Sequence, residues 1–526
     1  MRRPAVKNKP RASKVKFFPA PTDGWIANEN LASLPSKLKG AAILENWFPD
    51  TTGVRLRKGR KLHATIIDAG TPRTVKSMFT YLNGDVAYLF AATDGAIFNV
   101  STGGTPAPTK TGAVGGDWST ALMATSGGVY LRLVNGIDTP LVFDQTSGWT
   151  TSPSITGSGL DSAKLNYVWK FKNRLFFVEK DSLTAWYLPV DSIGGAATKL
   201  PLQGVFPRGG RLLFGGMISL DESGGLNAMC VFVSSEGDVA VYQGTDPSVA
   251  ANWSLVGVYR IGRPLGKDAW VQAGGDIVIA TDNGMVPLSA AIRLDYTALA
   301  PKAVSFKIED AWKRYVRERS GSWSALMWPA AGMMIVMFPY QTGVQAEMLA
   351  ANARTGAWCK HTGIAPLCGA VFRDRCFIAS WNGEIFELER TGQDNGVAFT
   401  ATMAPLFSDF ADPASLKTTK LVRGTFRASD GVNEAVTILT EFDEEALPAP
   451  PEAVDSPKSD IWGVGRWGAA VWGARYPQVT VAEWRSAGGA GYRLSPAFQV
   501  TVDSVSPPDI LMISAEVTYE AGDIVS

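Results

Sequence analysis

Histidine is the side chain most often used to move protons near neutral pH. It occurs only at positions 63 and 361 of the 526 residues, so a Ser–His–Asp arrangement would have to use one of these two. Cys359 and His361 stand two apart, which on a strand places both on one face. Cys368 and Cys376 follow, too far apart to supply the second close pair that a structural zinc site draws on. With Cys230 they read as reduced core residues, because their spacing and density fit no disulfide framework. The string nearest to a phosphate-cradling loop, Gly262 to Asp268, has the wrong spacing and puts Asp268 where a magnesium-holding hydroxyl belongs. The Gly-rich strings at 157–160 and 487–492 follow no strand–helix plan and read as turns. Spacing picks out no carboxylate pair for glycoside hydrolysis. These residues predict a chain that is not an enzyme, with no metal and no cofactor.

Two other groups carry binding chemistry. Trp462, Trp467 and Trp472 recur every five residues, each followed by glycine. Five is neither the helix nor the strand period, so they read as loop tryptophans that fill a core, anchor an interface or stack on a glycan. The second group is cationic: Arg2, Arg3, Lys7, Lys9, Arg11, Lys14 and Lys16, with no acid among residues 1–16. Residues 1–61 hold 14 basic and 4 acidic side chains, which leaves 36 basic and 45 acidic in the rest. A net charge of +1 therefore hides a basic head on an acidic body. Such a head suits an acidic surface or nucleic acid, and equally reads as a solvated tail. It has no apolar core and is not a secretory signal. The longest strongly apolar run, Ala330 to Phe338, has the length of a buried strand rather than a membrane span.

The framework that must hold these groups reads as all-β. Fifty-four glycines, 31 prolines and many aromatics indicate short strands and many turns. Between about 70 and 405 one pattern recurs: an apolar strand, an acidic or amide residue with glycine, then a second apolar strand. The clearest copies are LFAATDGAIFNV (89–100), VFVSSEGDVAVY (231–242), IVIATDNGMVPL (277–288) and FIASWNGEIFEL (377–388). Glycine there supplies the positive φ of a tight hairpin. Repetition around an axis buries both faces of such hairpins and protects their edges, so a β-propeller is expected, with a sandwich as the competing architecture. SFKIEDAWKRYVRERS (305–320) places Ile308, Ala311, Trp312, Tyr315 and Val316 at helical spacing, an amphipathic insertion that packs on the propeller rim. A short helix is expected around Ala41 to Trp47, a turn at 49–53 and an edge-like strand over 54–60. Three strand segments are expected near 492–502, 509–513 and 514–520, after an acidic, Pro-rich loop at 441–460. The expected domains are a basic arm and platform segment (1–65), the propeller (66–405) and a C-terminal β-rich domain (406–526). The turns Thr93-Asp94-Gly95 and Thr281-Asp282-Asn283-Gly284 resemble sialidase Asp-boxes but lack the closing aromatic.

Several segments together resemble one family. GAAILENWFPDTTGVRLRKGR (40–60), FKNRLFFVEKDSLTAWYLPVDSIGG (171–195), NARTGAWCKHTGIAPLCGAVFRDRCFIASWNGEIFELE (352–389), YRLSPAFQV (492–500) and ISAEVTYEAGDIVS (513–526) are similar to tail nozzle or hub proteins of short-tailed bacteriophages, the packaged-DNA stabilisation type. The resemblance implies a propeller beside a β-rich platform, assembled as a homo-oligomeric ring, typically a hexamer. It implies a place in the virion tail below portal and adaptor rings, with assembly in the bacterial cytoplasm. Tail fibre or spike proteins are the implied neighbours, double-stranded genomic DNA passes through the channel, and no stable membrane insertion is implied. The seven cations of residues 1–16 would then dock on the adaptor ring, and Trp47 and Phe48 would sit in a partner groove. Arg55, Arg57, Lys58 and Arg60 would face solvent, partner or DNA, or pack beside a carboxylate. Trp462, Trp467 and Trp472 stay open between interface and glycan. The alternatives are a carbohydrate- or receptor-binding tail protein and a propeller glycosidase.

Overall fold

The computed structural model describes residues 13–27, 38–68, 70–219, 228–428, 432–453, 478–504, 507 and 509–524. The chain forms two compact units: residues 62–349 with 364–388, and residues 1–61 with 350–363 and 389–526. The sequence boundaries near 65 and 405 thus move to 61 and 388, and the segment 350–363 joins the terminal unit rather than the propeller.

The first unit is a β-propeller. Among the described residues six small antiparallel sheets follow one another, with the antiparallel hairpin Ser324–Trp328 and Met333–Met337 standing between the fifth and the last as a further blade. Their first strands are Val75–Asn83, Ser119–Thr125, Leu165–Phe171, Leu212–Ser219, Trp270–Ala273, Ser324–Trp328 and Cys368–Phe372; each packs on the next blade, Leu212–Ser219 doing so against Asp276–Thr281 of blade five, and the last returns to the first. The four clearest sequence hairpins are all antiparallel pairs within blades one, four, five and seven. The seventh blade takes three late strands, Cys368–Phe372, Arg375–Ala379 and Glu384–Thr391, and closes with the early strand Gly59–Thr65. An early strand thereby joins late ones in a single blade, which ties the two ends of the ring together.

Blade strands read as unbroken apolar runs because both faces are buried. In Val86–Thr93 the period-two alternation sends Leu89 and Ala91 into a core shared with Phe372, Phe377 and Ile385 of blade seven. It sends Phe90 and Ala92 into a core shared with Leu131, Leu133 and Phe143 of blade two. Blade four shows what such contact demands. A Cβ on Gly215 would lie 2.3 Å from the Trp169 ring of blade three, and one on Gly216 would lie 2.6 Å from Ile277 of blade five. The expected helix is present as Glu309–Glu318, between blades five and six. Ala311, Trp312 and Tyr315 are buried, and the Trp312 indole donates to Thr281 O at 2.8 Å, tying it to blade five.

The second unit is β-rich and built from the chain ends. One sheet runs from Trp358–Thr362 through Gly40–Glu45, Phe399–Pro405 and Leu494–Val502 to Glu434–Thr440. The other pairs Ser415–Ala428 with the long strand Ile510–Ile524, whose opposite side carries Lys14–Pro19 and Val54–Leu56. The expected strands near 509–513 and 514–520 are therefore one 15-residue strand. The helix expected around Ala41 to Trp47 is instead two strands, Gly40–Glu45 and Trp47–Pro49. Gly40–Glu45 lies between sheet neighbours with five of its six residues buried, and Asn46 breaks the chain with φ of 60°. Tertiary pairing overrides the local helical spacing.

Candidate functional site

The axial end of the propeller opens into a pocket of about 830 Å³ lined from six of the seven blades. The polar lining includes Asp94, Asp117, Asp268 and Lys76, and the walls are aromatic: Trp118, Tyr167, Trp270, Trp323, Tyr340 and Trp381. Each group is placed by a strand start or the loop before it, where the blades converge. Asp94 sits in a hairpin turn and accepts the Gly116 N–H at 2.9 Å, so this Asp-box-like turn ties blade one to the loop leading into blade two. Asp282 in the second such turn accepts the Arg263 N–H at 3.0 Å. Both turns serve as clasps.

Asp117 is held by Lys267, whose Nζ lies 3.0 Å from Oδ2 and donates to the Asp117 carbonyl at 3.0 Å. Asp268 stands next to that lysine in sequence but shares no ion pair with it, and it lines the same pocket as a solvent-exposed residue. Partial desolvation in the pocket raises its carboxyl above the ordinary carboxylate range, Lys267 opposes the rise and Asp117 adds to it. Trp270 donates to the Tyr167 hydroxyl at 3.2 Å. Tyr340 and Trp381 stack at 5.1 Å, 40% and 47% exposed, beside the mouth. The sequence reading missed this pocket. Asp268 drew notice only as the wrong residue in a phosphate loop, and no linear spacing joins blades one, two and five.

The proposed partner residues fall into three groups. Arg2, Arg3, Lys7, Lys9 and Arg11 lie outside the described residues, as do Trp462, Trp467 and Trp472. Lys14 and Lys16 lie on the strand Lys14–Pro19, with the Lys16 ammonium 6.0 Å from the Phe18 ring and 5.8 Å from that of Phe410. Trp47 and Phe48 are enclosed in their own unit and packed into its core, which corrects their assignment to a partner groove. Of the basic run at 54–60, Arg55 pairs with Glu389 at 2.7 Å and Arg57 with Asp394 at 2.6 Å, so these two pack beside carboxylates. Cys359 and His361 are both buried on the strand Trp358–Thr362. Burial, with Arg57 and Arg55 nearby, holds His361 well below its ordinary value and keeps the imidazole neutral.

An exposed apolar face stands out on the terminal unit. Register aligns Val15, Thr518 and Leu421 in one row across three strands, and Phe17, Glu516 and Arg423 in the next. Val15 is 60% and Phe17 57% exposed, while Val517 and Val422 on the opposite face are buried.

No family model matches the sequence, and no curated protein matches it either. Among solved structures the chain is similar to the propeller domain of Myceliophteria thermophila Cps50 (Swd1). The identity is 11% and the TM-score 0.41, over 63% of this chain and all of that one. It is also similar to Saccharomyces cerevisiae Sqt1, at 11% identity and a TM-score of 0.36, over 62% of this chain and 98% of that one.

Proposed function

We propose that this chain is a structural subunit of a bacteriophage tail, a nozzle or hub that assembles as a ring and conducts DNA. The observation that supports it is the exposed face of the terminal unit. Val15 and Phe17 stand in the open on the same strand that carries Lys14 and Lys16 and directly follows the basic arm. A sheet face with apolar residues rimmed by charge is a protein contact surface rather than a solvated one. An arm of seven cations suits an acidic partner surface, and its contact would weaken with salt. The body's excess of acid over base suits a conduit, because a cationic lumen would hold phosphate through counterion release.

The test is electron microscopy of the purified protein mixed with virion-derived tails that lack this subunit. Incorporation beneath the adaptor supports the reading. A chain that stays free of tails, and instead binds host-surface glycan, favours the receptor-binding alternative.

A further inference from the structure

We propose that the axial pocket of the propeller binds a neutral saccharide, with a sugar ring laid on the Trp381 indole at its mouth. The inference stands apart from ring assembly, since every lining residue belongs to the propeller unit.

The observation that carries it is a tryptophan in a place where the fold does not need one. The turn Thr281-Asp282-Asn283-Gly284 of blade five and the turn Ser380-Trp381-Asn382-Gly383 of blade seven match position for position. Asp282 acts as a clasp by accepting the Arg263 N–H at 3.0 Å. In blade seven the backbone makes the clasp instead: Trp381 O accepts the Thr74 hydroxyl, from the segment entering blade one, at 2.7 Å. The Trp381 side chain has no part in that clasp, and it is the one exposed tryptophan among the described residues, at 47%. Tyr340 of blade six stacks on it at 5.1 Å with 20° between the ring planes. The indole is thus braced by one ring while much of its surface stays open. A fixed, open aromatic face adds nothing to the core and suits the apolar face of a ligand ring.

The pocket behind it has the size and lining of a small-molecule site. Its volume is about 830 Å³, and aromatic side chains line it beside a few polar groups. Trp118, in the loop entering blade two, lines the pocket and is only 4% exposed. Its indole Nε1 has no hydrogen-bond partner among the described residues. A buried N–H in that state is costly, and a ligand rich in oxygen supplies the acceptor it lacks. Asp268 and Lys76 are exposed on the pocket wall, where the carboxylate accepts from hydroxyls and the ammonium donates to them. A ring with an apolar face and hydroxyl groups around its edge meets all of these groups.

The charges bear on which ring fits. Three aspartates face one lysine in the lining, so phosphate, nucleic acid and acidic sugars fit poorly. Asp117 is paired with Lys267 at 3.0 Å and Asp268 is open to water, so neither presents an enclosed charge that would select a cation. A neutral saccharide remains.

The experiment is isothermal titration calorimetry of the full chain with neutral mono- and oligosaccharides of glucose, galactose, mannose and N-acetylglucosamine. A uronic acid oligomer and a basic peptide are the contrasting probes. Saturable binding of at least one neutral saccharide is expected. Affinity that rises with oligomer length assigns the source to a surface glycan chain, and full affinity for the monosaccharide assigns it to a free sugar. Trp381→Ala should weaken binding about tenfold, equivalent to about 1.4 kcal/mol, and Trp381→Phe should keep part of it. Trp118→Phe should weaken it by a smaller factor without lowering the melting temperature, since it removes an unpartnered N–H and keeps an aromatic ring. Melting temperatures show that each variant folds. Absence of saturable binding across the neutral panel overturns the proposal, and so does binding unchanged by Trp381→Ala. A uronic acid oligomer or a basic peptide that binds more tightly than every neutral saccharide overturns it as well. None of these outcomes bears on incorporation into tails, which is read separately.

Discussion

Arg57 and Asp394 form a two-pronged ion pair in the core of the terminal unit, with Nη1 to Oδ1 at 2.9 Å and Nη2 to Oδ2 at 2.6 Å. The pair joins residues 337 apart in sequence. Arg57 Nε also donates to Asn46 Oδ1 at 2.7 Å, and its guanidinium lies 3.9 Å over the Phe399 ring. Asn46 in turn accepts the Thr362 N–H at 3.0 Å and donates to Thr400 O at 2.7 Å. One cation thereby binds three stretches of chain that are remote in sequence.

Removing one partner would leave the other charge enclosed. Arg57→Ala or Asp394→Ala should cost about 3–5 kcal/mol, read as a shift in the urea midpoint. A loss under 1 kcal/mol, a typical figure for a surface pair, would show that water reaches the pair.

Arg132 is the opposite case. It is fully buried in blade two, its Nη1 donates to Pro153 O at 3.1 Å, and burial pulls its guanidinium down to about 10, with no carboxylate among the described residues to oppose it. Arg132→Met should therefore be neutral or stabilise by about 1 kcal/mol, checked by thermal melting. A clear loss would mean that Arg132 serves a contact made in the assembled protein.

Gly215 should tolerate no side chain. A methyl group there meets the Trp169 ring, and the inter-blade contact gives way or the blade shifts. Gly215→Ala should cost about 1–3 kcal/mol, whereas Gly215→Ala combined with Trp169→Leu should recover part of it. Unfolding of the two variants by denaturant gives the comparison.

Two groups, the buried His361 and the exposed Asp268, oppose each other in pH dependence. His361 is held neutral in the fold, so its protonation in the unfolded chain favours unfolding as pH falls below about 6.5. Its share is at most about 1.4 kcal/mol per pH unit. Asp268 carries the reverse sign: its raised carboxyl destabilises the fold as pH rises from the ordinary carboxylate value to about 6. His361→Gln should flatten the loss of melting temperature between pH 7.5 and 5.5, and Asp268→Asn should raise the melting temperature at neutral pH. These pH values are about one unit either side of the unperturbed histidine value.

Local signals were legible in the sequence because hairpins are local. The Asp-Gly and Asn-Gly turns, the apolar alternation around them and the helix at 309–318 each depend on residues within a few positions. The closing strand Gly59–Thr65 was not legible as part of blade seven, since its partner lies more than 300 residues away. The same holds for the axial pocket, where Asp117 and Asp268 approach only once seven blades close. Ala41 to Trp47 misled because its apolar spacing fits a helix, and only burial between sheet neighbours decides for a strand. Trp47 and Phe48 looked like interface anchors for a related reason: the sequence marks them as apolar, and the fold decides which side they face.

The most direct measurement is mass photometry of the purified chain beside Phe17→Asp and Val15→Asp, with negative-stain images of each. The wild-type chain should form rings of discrete mass, and both variants should remain monomers with unchanged melting temperature, because each side chain is more than half exposed in the single chain. A wild-type chain that stays monomeric at every concentration and also fails to join tails would contradict the assembly role.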